Sequence, residues 1–338
     1  MDREVFRVFD AVLVGAGPVG LFGAYYAGLR GMSIEVIDSL GQPGGQLITL
    51  YPEKFIYDVP GFPAVLSKTL VSELVRQAAQ YEPVLTMNAR VDALARRQDG
   101  TFELTTDKGV HRSRSVVVCA GAGSFVPKKL PDANTAAYEG RGLDYFVRDV
   151  AACRDKRVLI VGGGDSAVDW ALGLLRVTKK IALVHRNDTF RAHEDSVAKL
   201  FASPVTVRTF SELKRVHGDG RVQAATVVHN RTGKAVLLDV DRIIVNIGFS
   251  TSLGAIRHWG LPMDQHGVVV NSRMETSIPG VYAAGDVASY PGKLKLIATG
   301  FSEAAIAVNH AKAFTDPASK CFPGHSSMLV PKRRKSGQ

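Results

Sequence analysis

Asp10-Ala-Val-Leu-Val-Gly15-Ala-Gly17-Pro-Val-Gly20 runs from a short apolar stretch straight into three spaced glycines. The apolar stretch reads as a buried parallel strand entering a tight turn. Leu21 to Arg30 reads as a helix stopped by Gly31, and Ser33-Ile-Glu-Val-Ile-Asp38 as a second strand. Strand, glycine loop, helix and strand make a βαβ unit. The three glycines serve different ends. Gly15 permits the turn, Gly17 lets backbone approach a pyrophosphate, and Gly20 lets helix and strand pack closely. Asp38, ending the second strand, can accept a hydrogen bond from a ribose 2′-hydroxyl.

The pattern returns 147 residues later. Arg157-Val-Leu-Ile-Val161 reads as a strand, Gly162-Gly-Gly164-Asp-Ser-Ala167 as a turn of the permitted G/A form, Val168 to Arg176 as a helix, and Ile181 to His185 as a strand. Counting 23 residues from Gly15 reaches Asp38, whereas the same count from Gly162 reaches His185. The acid is absent there, and Arg186 and Arg191 follow instead. Guanidinium groups pair well with a 2′-phosphate. One site of each ribose type predicts FAD at the first loop and NADP(H) at the second. A nicotinamide gives hydride, and a flavin takes two electrons and can release them singly.

Outward from the two loops, Phe102–Thr106 and Arg114–Cys119 read as strands of a small antiparallel insert and of the return to the first sheet. Val222–His229 and Ala235–Asp241 read as a second antiparallel pair. Arg242–Gly248 is again strand-like, and a helix is expected over Ser302–Phe314. This order predicts a nested α/β layout. Residues 1–122 and 247–338 form a discontinuous FAD-binding domain, interrupted by an NADPH-binding domain over 123–246. Gly121-Ala-Gly123 and Gly248-Phe-Ser250 are the expected crossings.

A length of 338 residues suits two domains rather than one core. The net charge is +10, but only Lys332-Arg-Arg-Lys335 is a dense basic run. It reads as a solvated end. No zinc-finger spacing or basic–aromatic stripe suggests nucleic acid. No apolar run is long enough for a bilayer and the first ten residues carry acids, so a cytoplasmic, membrane-free protein is expected. The three cysteines, Cys119, Cys153 and Cys321, are far apart, no CxxC occurs, and no metal site is expected.

The second loop, with His185-Arg186 and Phe190-Arg191-Ala192, resembles the NADPH domain of thioredoxin reductases, and Gly285-Asp286 resembles their second FAD contact. Thioredoxin reductases carry Tyr-Cys-x-x-Cys-Asp shortly before this loop. Here Tyr145 is followed by Phe146-Val-Arg-Asp149, so Phe146 and Asp149 stand at the cysteine positions. Without a dithiol, electrons cannot pass to a disulfide by exchange. The segment Gly44-Gly-Gln-Leu-Ile-Thr-Leu-Tyr51 through Gly61-Phe62, and His325-Ser-Ser-Met-Leu329, resemble instead the ferredoxin–NADP reductases of thioredoxin-reductase-like fold.

That resemblance implies two nested Rossmann-like, three-layer ββα domains. It also implies FAD contacts at Asp38, Gly45, Gln46, Tyr51, Val91, Phe125, Asp286 and Ser327. Tyr51 is implied to stack on one isoalloxazine face and His325 to cover the other, with no acid or base demanded. A homodimer and electron exchange with ferredoxin or flavodoxin are implied as well. Asn187 stands where the family commonly has a second Arg. Ferredoxins are usually acidic, so a +10 reductase would steer them by charge. The competing reading is an NADPH-dependent disulfide reductase without CxxC. Bacillithiol disulfide reductases resemble this fold but keep a cysteine inside the first loop, where Val19 stands here.

Overall fold

The computed structural model describes residues 7–130, 134–147 and 149–325. It divides into two compact units: one holds residues up to Thr49, Lys54–Ser124 and the chain from Thr251, the other Leu50–Glu53 and Phe125–Ser250.

The first unit is built on a five-stranded parallel sheet in the order Val281–Ala283, Val116–Val118, Ala11–Val14, Ile34–Ile37, Val84–Thr86. The four leading strands are buried throughout. This explains their unbroken apolar composition, because a parallel sheet covered on both faces has no solvent side. Glu35 is the exception. Its Oε1 accepts from Thr86 Oγ1 at 2.6 Å and lies 3.0 Å from His111 Nδ1. Helices Pro18–Leu29 and Ile297–Thr315 pack through Ala24, Ala27, Ala304 and Ala307 into the core that holds Leu13, Val36 and Val117. Phe102 and Leu104 join the same core from a smaller sheet, ordered Val8–Phe9, Gly109–Ser113, Phe102–Thr106, Val91–Arg96. Helices, parallel sheet and small sheet thus form three layers.

The second unit repeats the plan. Its parallel sheet runs Leu143–Asp144, Arg242–Val245, Val158–Val161, Ile181–Val184, Thr206–Arg208. Alternation divides the central strand. Val158 and Ile160 pack with Trp170, Leu174 and Leu200 on the helix side, whereas Leu159 and Val161 pack with Leu213, Val216 and Ala225 on the other. The latter belong to a three-stranded antiparallel sheet, Ser211–His217, Ala224–His229, Ala235–Asp239. Arg157 clasps Asp241 by side chain (2.8 Å) and backbone N–H (2.8 Å), stapling the starts of two neighbouring strands.

The chain passes between the units along strands Ser124–Pro127 and Phe249–Ser252, which pair. Local expectations shift at several points, the first-loop helix among them, which starts at Pro18 rather than Leu21. The Ser211–His217 strand adds a third member to the expected antiparallel pair. The second-loop helix starts at Asp165, not Val168. The C-terminal helix starts at Ile297, five residues before Ser302. Gly300 sits inside it because a Cβ there would lie 2.4 Å from Val19 Cγ2; the glycine serves close packing rather than a helix stop. Among the described residues no helix is long and apolar enough to cross a membrane.

Candidate functional site

The first glycine loop is shaped by backbone crowding on one side and open space on the other. Gly15, at φ +113°, would place a Cβ 2.4 Å from the Cys119 carbonyl oxygen, and a Cβ on Gly20 would lie 1.9 Å from the Gly15 carbonyl oxygen. No L residue with a Cβ fits at either position without moving backbone. At Gly17 a Cβ would meet nothing within 4 Å. Pro18 opens the helix, and Gly17, as its N-cap, supplies no side-chain acceptor to the first-turn N–H groups. Uncapped N–H groups facing open space suit an anion.

Asp38 is tied into this loop. Its Oδ2 accepts the Ala16 N–H at 2.6 Å and its Oδ1 accepts the Leu40 N–H at 2.8 Å. Burial raises its pKa above the usual carboxylate value, with the two backbone hydrogen bonds opposing that shift. Each oxygen keeps a further lone pair for a hydroxyl donor. Gly44 donates to the Ala16 carbonyl oxygen at 2.8 Å. A Cβ on Gly45 would lie 3.1 Å from Gly17 Cα, so the segment at 44–45 closes directly over the loop. Gln46 is half-buried, and a Cβ on Gly121 would lie 3.7 Å from its Nε2. Asp286 is half-buried beyond Gly285, and Val91 is buried in its strand. The open cradle at Gly17 and the fixed Asp38 fit an adenosine diphosphate moiety with a free ribose hydroxyl, as FAD carries.

The remaining expected flavin contacts lie in other segments of the chain. Tyr51 is half-buried in the Leu50–Glu53 stretch that groups with the second unit, where Glu53 reaches Arg176 at 3.7 Å. Phe125 lies on a linking strand. His325 is exposed and meets Phe322 edge to face at 5.7 Å. Ser327 lies outside the described residues.

The second loop has the same build. A Cβ on Gly162 would lie 2.2 Å from the Asn246 carbonyl oxygen and 3.0 Å from Ala167 Cβ, and a Cβ on Gly164 would meet nothing within 4 Å. Asp165, an acid in the first helical turn, accepts the His193 N–H at 3.0 Å and so braces the following segment. His185 has a packing role: its ring occupies the space a Gly163 side chain would need, with Cε1 2.2 Å from that Cβ position. The Arg191 N–H donates to the Gly163 carbonyl oxygen at 2.8 Å, and Asn230 Nδ2 donates to the Arg186 carbonyl oxygen at 2.7 Å. Both arginines are exposed. Backbone anchors thus fix the chain at two exposed arginines that follow the strand, and a guanidinium is the chemistry a 2′-phosphate needs.

The positions of the absent dithiol have structural work within the second unit. Phe146 stacks on Phe249, and Asp149 Oδ1 accepts the Ala151 N–H at 2.8 Å. Cys119, Cys153 and Cys321 are free thiols. Burial pushes Cys119 up to about 12 and also raises Cys153. Neither offers a thiolate near neutral pH.

Sequence reasoning missed Asn230 and the buried pair Lys293 and Glu303 with the half-buried Tyr290 beside it. The signal for Glu303 was present: one acid inside the otherwise small and apolar helical run Gly300–Val308. Asn230 gave none, because asparagine is an ordinary turn residue.

Two glycine loops of this build, each ending a parallel strand and opening a helix, define a two-dinucleotide oxidoreductase architecture. Residues 9–311 match the pyridine nucleotide-disulphide oxidoreductase family, and the chain belongs to it. It is 52% identical over 326 residues to a ferredoxin–NADP reductase of Symbiobacterium thermophilum, covering 95% of this chain and 97% of that one. It is 50% identical over 324 residues to a ferredoxin–NADP reductase of Halalkalibacterium halodurans, covering 96% and 98%. The crystal structure of a thioredoxin reductase from T. acidophilum matches with a TM-score of 0.76 at 25% identity, covering 93% of this chain and all of that one.

Proposed function

We propose that the protein is a ferredoxin–NADP reductase that holds FAD at the first loop and NADP(H) at the second. The observation that carries the reading is the contrast at two equivalent strand ends. Asp38 is fixed by the Ala16 and Leu40 N–H groups, while Arg186 and Arg191 are fixed by Asn230 and Gly163. One end accepts a hydroxyl and the other receives a phosphate. Near-full-length identity of about half to two ferredoxin–NADP reductases supports the same reading.

FAD bound at the first loop supplies a two-electron acceptor for nicotinamide hydride that can release electrons one at a time. The chain's own residues bind and orient. Gly15, Gly17 and Gly20 admit the pyrophosphate, Asp38 the ribose, and Gly45, Gln46, Val91, Phe125, Asp286 and Ser327 the rest of the flavin nucleotide. Tyr51 and His325 flank the ring system. Gly162, Gly164 and Ala167 admit the NADP(H) pyrophosphate, and Arg186 and Arg191 its 2′-phosphate. No side chain need take or give a proton, because position and stacking suffice for hydride transfer. The net charge of +10 favours an acidic carrier, and flavodoxin meets the same requirement as ferredoxin. A cytosolic homodimer completes the reading.

The test is the purified chain itself. It should carry FAD, and anaerobic NADPH should bleach the flavin band faster than NADH at equal concentration. A colourless chain that takes up no FAD, or equal bleaching by the two nucleotides, would contradict it.

A further inference from the structure

Behind the Gly285–Asp286 turn lies a buried charge pair that has no part in the dinucleotide contacts named so far. Lys293 Nζ contacts both oxygens of Glu303, at 2.5 and 2.6 Å, and the two side chains are 6% and 2% exposed. Tyr290 Oη donates to Glu303 Oε1 at 2.5 Å, and the Gly285 N–H donates to Oε2 at 2.7 Å. Burial, then the hydrogen bond to Glu303, pushes the Tyr290 phenol up to about 12.

Desolvating two charges is costly, and apolar residues of similar volume would often serve stability as well. A pair kept at this depth therefore calls for a reason beyond stability. The surroundings supply one. Gly285, at φ +83°, would place a Cβ 3.1 Å from Val19 Cγ2 of the first glycine loop. A Cβ on Gly300, one helical turn before Glu303, would lie 2.4 Å from the same Val19 atom and 3.4 Å from Gly285 Cα. The Ala284 N–H is held by the Val118 carbonyl oxygen at 2.9 Å, and the Ala288 N–H returns to the Gly285 carbonyl oxygen at 3.0 Å. Between them, the Gly285 amide is set by the Glu303 carboxylate alone among the described side chains. Lys293 and Tyr290 in turn fix the carboxylate's rotamer. Asp286 follows immediately, half-buried, and no described group donates to its carboxylate.

We infer that Glu303, locked by Lys293 and Tyr290, is a positioning residue for dinucleotide binding at the first loop. Its Oε2 bond to the Gly285 N–H sets the turn that aims Asp286 and seats Val19. The inference rests on FAD being the occupant of that loop.

The experiment compares two double variants by FAD dissociation constant and by the thermal midpoint of the apoprotein. Glu303→Gln with Lys293→Met removes both charges but keeps an acceptor for Gly285. Glu303→Leu with Lys293→Met removes the acceptor too. The Leu double should bind FAD at least about tenfold more weakly than the Gln double, which should stay within about threefold of the unaltered chain. The two apoprotein midpoints should be alike. Equal losses in both doubles, or no loss in either, overturn the inference. If either double fails to fold, hydrogen exchange of the Gly285 amide in the unaltered chain decides. By reciprocity, FAD must slow it about tenfold or more, and an unchanged rate overturns the inference. An unaltered chain that binds no FAD removes the flavin reading itself. That outcome is distinct from tight binding by all three proteins, which removes only the role of Glu303.

Discussion

Phe146 lies face to face with Phe249, ring centroids 5.4 Å apart and planes 7° from parallel. An aromatic pair of this kind contributes about 0.5–1.5 kcal/mol beyond its burial. It occupies the position at which thioredoxin reductases, by the resemblance of the sequence, carry a redox cysteine. Packing stands here in place of redox chemistry.

The thiols should accordingly be silent. With NADPH present, small disulfides should be reduced no faster than in a protein-free blank. Alkylation of the native chain near pH 8 should reach Cys321, the one partly exposed thiol, well before Cys119 or Cys153. Peptide mapping of the alkylated cysteines checks this, and early labelling at Cys119 would contradict the burial that holds its thiol at about 12.

Asp38→Asn should weaken FAD binding. Asn offers one acceptor oxygen where the Ala16 and Leu40 N–H groups need two, so one N–H faces an amide donor. Loss of a hydrogen bond to a charged acceptor costs about 1.5–3 kcal/mol, or roughly 10- to 100-fold in affinity. Titration of apoprotein with FAD, followed by flavin fluorescence, reads the change.

Nucleotide preference should follow the two anchored arginines. Arg191→Ala should lower kcat/KM for NADPH by about tenfold while leaving NADH nearly unchanged, and Arg186→Ala should act in the same direction. Asn230→Ala should give a smaller loss of the same sign, because it frees the backbone that carries Arg186. The ratio of kcat/KM for the two nucleotides is the measurement.

The Arg157 guanidinium and backbone hold Asp241 at about 2. The sign follows from linkage. A carboxylate whose folded pKa is depressed contributes stability above its unfolded value, near 4, and loses it as pH falls toward 2. The pair is partly solvent-exposed, so screening limits the effect to about 1 kcal/mol or less. Thermal midpoints of the unaltered chain and Asp241→Asn should differ at pH 6, draw together as pH falls below about 4, and meet only once pH has passed below about 2.

The parallel-sheet skeleton was readable because buried β-branched runs and spaced glycines are local signals. Ala11–Val14, Ile34–Ile37, Val158–Val161 and Ile181–Val184 all fall within a residue or two of their expected bounds. The Asp38 against Arg186 contrast was readable by counting from two equivalent glycines. What escaped is set by distant partners. The spacing of Gly300 depends on Val19, nearly three hundred residues away in the chain, so a glycine that packs is locally indistinguishable from one that stops a helix. The Ser211–His217 strand alternates poorly, carrying Lys214 and Arg215 side by side across a register shift. Glu303 makes sense only once Lys293, Tyr290 and the Gly285 amide surround it.

The most direct test of the central claim is NADPH-driven cytochrome c reduction by the purified holoprotein, with and without an acidic ferredoxin, across a range of salt. Strong stimulation by ferredoxin that falls as ionic strength rises is expected, since a +10 chain attracts its carrier through a screened field. Rapid reduction that ignores both ferredoxin and salt would contradict it.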